Sequence, residues 1–218
     1  MITAFLVLKI GLFLLIGLLY TEWKGGTGLK LAFKTPLSAL FVLTGLTQPQ
    51  ILAGYGLWIV IGLILCLCGD ICLALERDSA FKAGLAAFLL GHVAYVVAFA
   101  QLTSLRSFIA WPGLVVVAVS AIVFVWLRPR LGRMLVPVSA YMAVITLMVI
   151  GAWAVFAAPG SSPLGTRLLF GGAVLFYLSD LFVARNRFVS EGWINRLFGL
   201  PLYYLGQFLL AFSIGQVV

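Results

Sequence analysis

The chain reads as long apolar runs separated by short polar breaks. The runs lie near residues 1–20, 31–47, 51–75, 81–102, 108–127, 133–158, 165–184 and 199–217. About 20 apolar residues in helical form cross a hydrocarbon core about 30 Å thick. The pattern therefore predicts an all-α, polytopic bundle of about eight transmembrane helices, with residues 1–218 forming a single transmembrane helical domain. The breaks are rich in turn formers: Thr21 to Gly28, Gln48-Pro49-Gln50, Glu76 to Ser79, and Pro159 to Pro163. No run alternates polar and apolar residues, so helices rather than barrel strands are indicated. The second run is short and begins with Lys30 and Lys34. The first is read as a helix and not a cleaved leader, because Lys9 lies inside it and no small-x-small site closes it. Gly84 and Gly91, seven apart on one helix face, predict a close helix contact.

Composition sharpens this picture. Apolar residues make up 64% of the chain and charged ones 9%, against about 25% charged in an ordinary soluble domain. The net charge of +8 does not indicate nucleic acid, because no basic stripe is interleaved with stacking aromatics. The basic residues instead cluster after every second run: Lys24, Lys30 and Lys34, then Arg77 and Lys82, then Arg128, Arg130 and Arg133, then Arg185, Arg187 and Arg196. The opposite side holds only Arg106 and Arg167, or three with Lys9. Basic loops stay on the cytoplasmic side, which puts both termini on the non-cytoplasmic side, in a membrane of the bacterial inner type. Cys66, Cys68 and Cys72 share one apolar run. They are expected to be small buried hydrophobes and not a disulfide or metal set.

Of the six acidic residues, Glu22, Glu76, Asp78 and Glu191 are assigned to loops. Asp70 and Asp180 sit inside apolar sequence, where an ionisable group costs about 2.5–3.5 kcal/mol or more. That expense marks a functional site. Each lies about five residues before the basic end of its run, roughly 7–9 Å below the membrane boundary, so the two could line one water-filled cavity. Other polar residues fall at similar depth: His92 and Tyr95 in the fourth run, Tyr141 in the sixth, and Tyr203, Tyr204 and Gln207 opening the eighth. Lys34, just before Pro36, is positioned to meet a phosphate headgroup or to snorkel. A single histidine rules out a three-His zinc site, and no Gly-x-Ser-x-Gly elbow or phosphate loop occurs. No metal or cofactor is called for; the remaining chemistry is that of carboxylates.

At these residues the chain resembles the YhhN-type lysoplasmalogenase family of membrane hydrolases. The resemblance is carried by Lys34 with Pro36, Cys-Gly-Asp ending at Asp70, the stretch Gly84 to Tyr95, Tyr141 with Met148, the stretch Gly172 to Asp180, and Pro201 to Gln207. It implies cleavage of the vinyl ether bond of lysoplasmalogens to a fatty aldehyde and glycerophosphoethanolamine or glycerophosphocholine, with Asp70 and Asp180 carrying the reaction. The substrate would be a lysophospholipid taken from the bilayer; the oligomeric state is left open. Protonating a vinyl ether generates an oxocarbenium ion, and glycosidases divide two carboxyl groups between acid and base for a related transition state. Apolar surroundings and a neighbouring carboxylate both disfavour the charged form of a carboxyl, so one of a buried pair can hold a proton. On this reading His92, Tyr95, Tyr203, Tyr204 and Gln207 orient water and glycerol hydroxyls, Tyr141 joins them as a substrate-binding residue, and Lys34 holds the phosphate.

Two other classes are open to a membrane protein with buried acids. One is a proton-coupled transporter or lipid carrier, although no internal repeat of the kind such proteins show is visible. The other is an intramembrane aspartyl protease, but the two acid-bearing segments stand in reversed order and no Pro-Ala-Leu follows.

Overall fold

The computed structural model describes every residue except 1, 26, 52, 53, 76, 110, 161 and 218. Among the described residues eight α-helices follow one another: α1 (Ile2–Lys24), α2 (Thr27–Leu46), α3 (Gly54–Ala74), α4 (Asp78–Ala100), α5 (Trp111–Leu131), α6 (Leu135–Phe156), α7 (Pro163–Phe188) and α8 (Trp193–Ser213). Short 3-10 turns lie before α5 and between α5 and α6. Helices α1 to α4 and α7, together with the stretch Trp111–Phe156, are long and apolar enough to cross a bilayer. This is a multi-pass, all-helical membrane protein.

Several elements run further than the apolar runs that predict them. Helix α5 extends to Leu131 and α7 to Phe188, taking in Arg128, Arg130, Arg185 and Arg187. Arginine stems can lie along an apolar helix while the heads reach water, so the helical ladder outlasts the apolar sequence. The 46-residue apolar stretch from Trp111 to Phe156 reverses at Gly132, whose φ of +48° is open chiefly to glycine. Helix α8 begins at Trp193, so Tyr203, Tyr204 and Gln207 lie mid-helix and do not open it. Glu22 is not in a loop either: it lies in α1 with its side chain only 6% exposed, within reach of Lys30 Nζ at 3.3 Å and Arg196 at 3.6 Å. Asp78 likewise sits in the first turn of α4, where a carboxylate suits the helix dipole. Glu76 and Ser161 lie outside the described residues.

The outer surface is apolar, as lipid contact requires: Phe13, Ile16, Ile122, Val125 and Val136 are all exposed. Of the cysteines only Cys66 is buried; Cys68 is exposed and Cys72 half-buried. These two face outward because α3 presents one side to lipid, so burial is not the common role expected of all three.

Close helix approach organises the interior. On α4, Gly84 and Gly91 face the backbone of α3, and a Cβ at either would meet Gly69 O or Gly62 O at 3.2 Å. On α8, a Cβ at Gly206 would stand 2.9 Å from Gly172 O, and one at Gly172 would stand 2.9 Å from Gly206 O. The α7–α8 crossing is thus a mutual glycine contact, backbone on backbone. Helices α2 and α8 each carry an internal proline, Pro36 and Pro201, which removes one ladder hydrogen bond from each helix. The bundle gathers its basic residues, Arg77, Arg187 and Arg196 among them, at one end, called the basic end below.

Replacing Gly206 with valine should force α7 and α8 apart. Overpacking of this kind costs about 1–3 kcal/mol. The expected result is a lower thermal unfolding temperature in detergent, whereas Gly171→Val, facing only a leucine side chain at 3.6 Å, should be tolerated.

Candidate active site

A cavity of about 660 Å³ lies among α2 to α8 and reaches the basic end. Asp70 and Asp180 both line it, as do Lys34, Tyr141 and Tyr203. The two acids, 110 positions apart in the chain, therefore share one compartment.

Asp70 is buried, with 1% of its surface exposed, and three groups donate to it. Lys34 Nζ stands 3.2 Å from Oδ1. Ser38 Oγ and Tyr203 OH donate to Oδ2 at 2.7 and 2.6 Å. The geometry follows from helix periodicity: Lys34 and Ser38, four apart, fall on the same face of α2 on either side of Pro36. Tyr203 sits two residues past Pro201 on α8.

Further side chains feed this set from behind. Tyr95 OH donates to Gln207 Oε1 at 2.8 Å, and Gln207 Nε2 donates to Tyr203 OH at 3.2 Å. Since the Ser38 proton is committed to Asp70, Tyr204 OH must be the donor in its 3.2 Å contact with Ser38. Each chain of donors therefore ends on Asp70, an arrangement suited to an acceptor-only carboxylate. Two hydroxyls and an ammonium make these charge-assisted hydrogen bonds.

Asp180 is held differently. Tyr141 OH donates to Oδ2 at 2.5 Å. Among the described residues no cation and no second donor meets this carboxyl, which is half-buried at the cavity wall. Because α7 continues to Phe188, Asp180 lies eight residues from its helix end, while Asp70 lies four from the end of α3. The equal depth expected from run lengths is thus not matched by the helix ends.

Lys34, Tyr141 and Tyr203 come together with the two acids at the cavity; His92, Tyr95, Tyr204 and Gln207 do not line it. Tyr95, Tyr204 and Gln207 act through the network just described. His92 is fully buried with its ring 4.5 Å from that of Phe176 and 5.1 Å from that of Tyr141, centroid to centroid. Neither ring nitrogen has a hydrogen-bond partner among the described residues.

Sequence reasoning missed Ser38, because a serine in an apolar helix is unremarkable until its spacing from Lys34 is set against Asp70. It also missed a hydroxyl chain joining α5, α6 and α7 at the cavity, where Ser120 Oγ lies 2.7 Å from Thr146 Oγ1 and 2.8 Å from Tyr177 OH. Thr146 donates to Met142 O at 2.6 Å, so Ser120 must donate to Thr146 and Tyr177 to Ser120. All three protons are spent, leaving only oxygen lone pairs on this cluster. Tyr177 precedes Asp180 by three residues, one helical turn, which is the spacing that could have revealed it. Among the described residues no group of three or more His, Cys, Asp or Glu converges as a metal site would require.

Comparison with known proteins bears on this site. The family model described as "YhhN family" matches residues 29–214, a stretch that contains every side chain of the two acid clusters. The chain belongs to the YhhN family. Among its relatives, "Lysoplasmalogenase TMEM86A" of Homo sapiens is 34% identical over 158 residues, covering 71% of this chain and 64% of that protein's length. The "Lysoplasmalogenase" of Mycobacterium bovis is 29% identical over 190 residues, covering 84% of this chain and 68% of that protein. The chain thus spans a little under two thirds of the human relative it matches. No solved structure is similar enough to match.

Removing the cation should expose how tightly the pair is coupled. Lys34→Met leaves a buried carboxylate unpaired and should destabilise the protein by about 3 kcal/mol or more. The double variant Lys34→Met/Asp70→Asn should recover much of that loss. Thermal unfolding in detergent of the wild type, both single variants and the double variant would measure the coupling; equal losses in Lys34→Met and the double variant would contradict it.

Proposed function

We propose that this YhhN-family protein hydrolyses the vinyl ether bond of lysoplasmalogens, releasing a fatty aldehyde and a glycerophospho alcohol. The observation that carries this reading is the presence of two differently held carboxyl groups on one cavity inside a membrane bundle. The relatives named lysoplasmalogenase support the choice of substrate. The cavity suits a single-chain lipid: Leu85, Phe88, Val123 and Leu127 line it with apolar surface, while its polar groups gather near the acids and the basic end. The same basic end, set toward the cytoplasm by its arginines, supports placement in a bacterial inner membrane with both termini outside.

The two carboxyls divide the work. Asp180, with one hydroxyl donor and no cation against it, is the group that carries a proton and delivers it to the β-carbon of the vinyl ether. The C=C π electrons form the new C–H bond, and the ether oxygen shares the resulting positive charge as an oxocarbenium ion. Asp70, its charge balanced by Lys34, takes a proton from the water that attacks the oxocarbenium carbon, giving a hemiacetal. Collapse breaks the bond to the glycerol oxygen, which gains a proton as the hemiacetal hydroxyl loses one. Tyr141 and Tyr203 fix the two carboxyls in place, with Tyr95, Tyr204 and Gln207 holding Tyr203 and Ser38, and His92 packing behind Tyr141. Preset donors of this kind need no rearrangement as charge develops.

The mechanism leaves an isotopic mark. Turnover of a lysoplasmalogen by purified protein in deuterium oxide should yield aldehyde with one deuterium on the carbon next to the carbonyl. Asp70→Asn and Asp180→Asn should each lower kcat by about 100-fold or more while the protein stays folded. Aldehyde release undiminished in both variants would refute the assignment.

A further inference from the structure

Four cationic side chains line the cavity: Lys34, Arg77, Arg187 and Arg196. Three of them already face a carboxylate. Lys34 is paired with Asp70, Arg187 with Asp78, and Arg196 with Glu22. Arg77 has no ion pair or hydrogen bond from its side chain among the described residues, although it stands exposed at the basic end beside the start of α4. An unpaired guanidinium at the rim of a cavity offers a planar fork of donors to an incoming oxyanion.

The spacing suits a glycerophospholipid. Arg187, at the same rim, follows Asp180 by seven residues of continuous helix, so the rim stands about 10 Å along the axis from that carboxyl. In a lysoplasmalogen seven bonds separate the β-carbon of the vinyl ether from phosphorus. An extended chain advances about 1.2 Å per bond, by analogy with about 3.5 Å per three-bond residue, which gives about 8 Å. A β-carbon beside Asp180 therefore puts the phosphate within reach of the rim. Lys34, with its side chain 6% exposed and held by Asp70, is committed to the carboxylate below.

We propose that Arg77 is the anchor for the phosphate group of the substrate, binding it at the cavity mouth and setting how deep the vinyl ether descends. The identity of the substrate rests on the hydrolase reading above; the phosphate anchor itself does not require turnover. Arg77 is a specificity-determining residue in this role and takes no part in bond breaking.

Binding of two uncleavable ligands tests it: a 1-alkyl-glycerophosphoethanolamine and the matching 1-alkylglycerol, which lacks the phosphate. Both are titrated against full-length protein in phospholipid-free detergent. Arg77→Gln should weaken binding of the phosphorylated lipid about tenfold or more and leave the alkylglycerol unchanged, with Arg77→Lys recovering part of the loss. Unfolding temperatures confirm that each variant is folded. Equal weakening of both ligands, or no change in either, overturns the anchor; the second result would mean that Arg77 serves only headgroups of the surrounding bilayer. Aldehyde release from the vinyl ether analogue is followed separately. Phosphate discrimination that depends on Arg77 without any aldehyde would preserve the anchor and refute the hydrolase.

Discussion

A carboxylate and an ammonium facing each other inside an apolar bundle set the terms for everything around them. Asp70 and Lys34 are both more than nine-tenths buried, and desolvating two such ions is repaid only when geometry and additional hydrogen bonds are good. The surrounding helices supply these conditions. Helix α2 brings Lys34 and Ser38 from either side of Pro36, and α8 brings Tyr203 just past Pro201. The glycine contact at Gly172 and Gly206 lets α8 lie close against α7. Without that packing Tyr203 could not stay 2.6 Å from one acid while Asp180, on α7, faces the same cavity.

The resulting asymmetry is what the proposed chemistry draws on. Two identical carboxyls in identical surroundings would compete for the same role. Here one receives an ammonium and two hydroxyls, and the other a single phenol. Transfer of a proton to carbon followed by activation of water needs one carboxyl of each kind. The hydroxyl chain Tyr177, Ser120 and Thr146 adds a further polar surface with acceptor sites only, beside the leucine, valine and phenylalanine that also line the cavity.

The helical architecture could be read directly from the sequence because a membrane demands long continuous apolar runs, and the two acids stood out because nothing else in those runs is acidic. The arginine-bearing helix ends could not be read in the same way. Arg128 and Arg187 look like loop residues when only hydropathy is considered, yet their stems let helix continue. Glu22 reads as a loop residue for the same reason: hydropathy equates charge with solvent, whereas Lys30 and Arg196 satisfy it inside the bundle. Ser38 and Thr146 were invisible because a lone hydroxyl in a membrane helix commonly bonds its own backbone. Their roles depend on which helix faces them, and no local pattern specifies that. His92 drew notice as the one histidine, but the structure surrounds it with rings and keeps it off the cavity.

Ion pairing at the mouth of the cavity extends the same economy of charge. Arg187 and Arg196 are each tied to an acid on another helix, Asp78 of α4 and Glu22 of α1, so they brace α7 and α8 against neighbours that are distant in sequence. A rim built wholly of such braces would have little attraction for an anion, since every cation would already be neutralised. Leaving one guanidinium unpaired concentrates that attraction at a single point. It lies on the segment joining α3, which carries Asp70, to α4, whose Phe88 lines the cavity. Charge that is balanced holds the helices; the charge left over is what a ligand can meet.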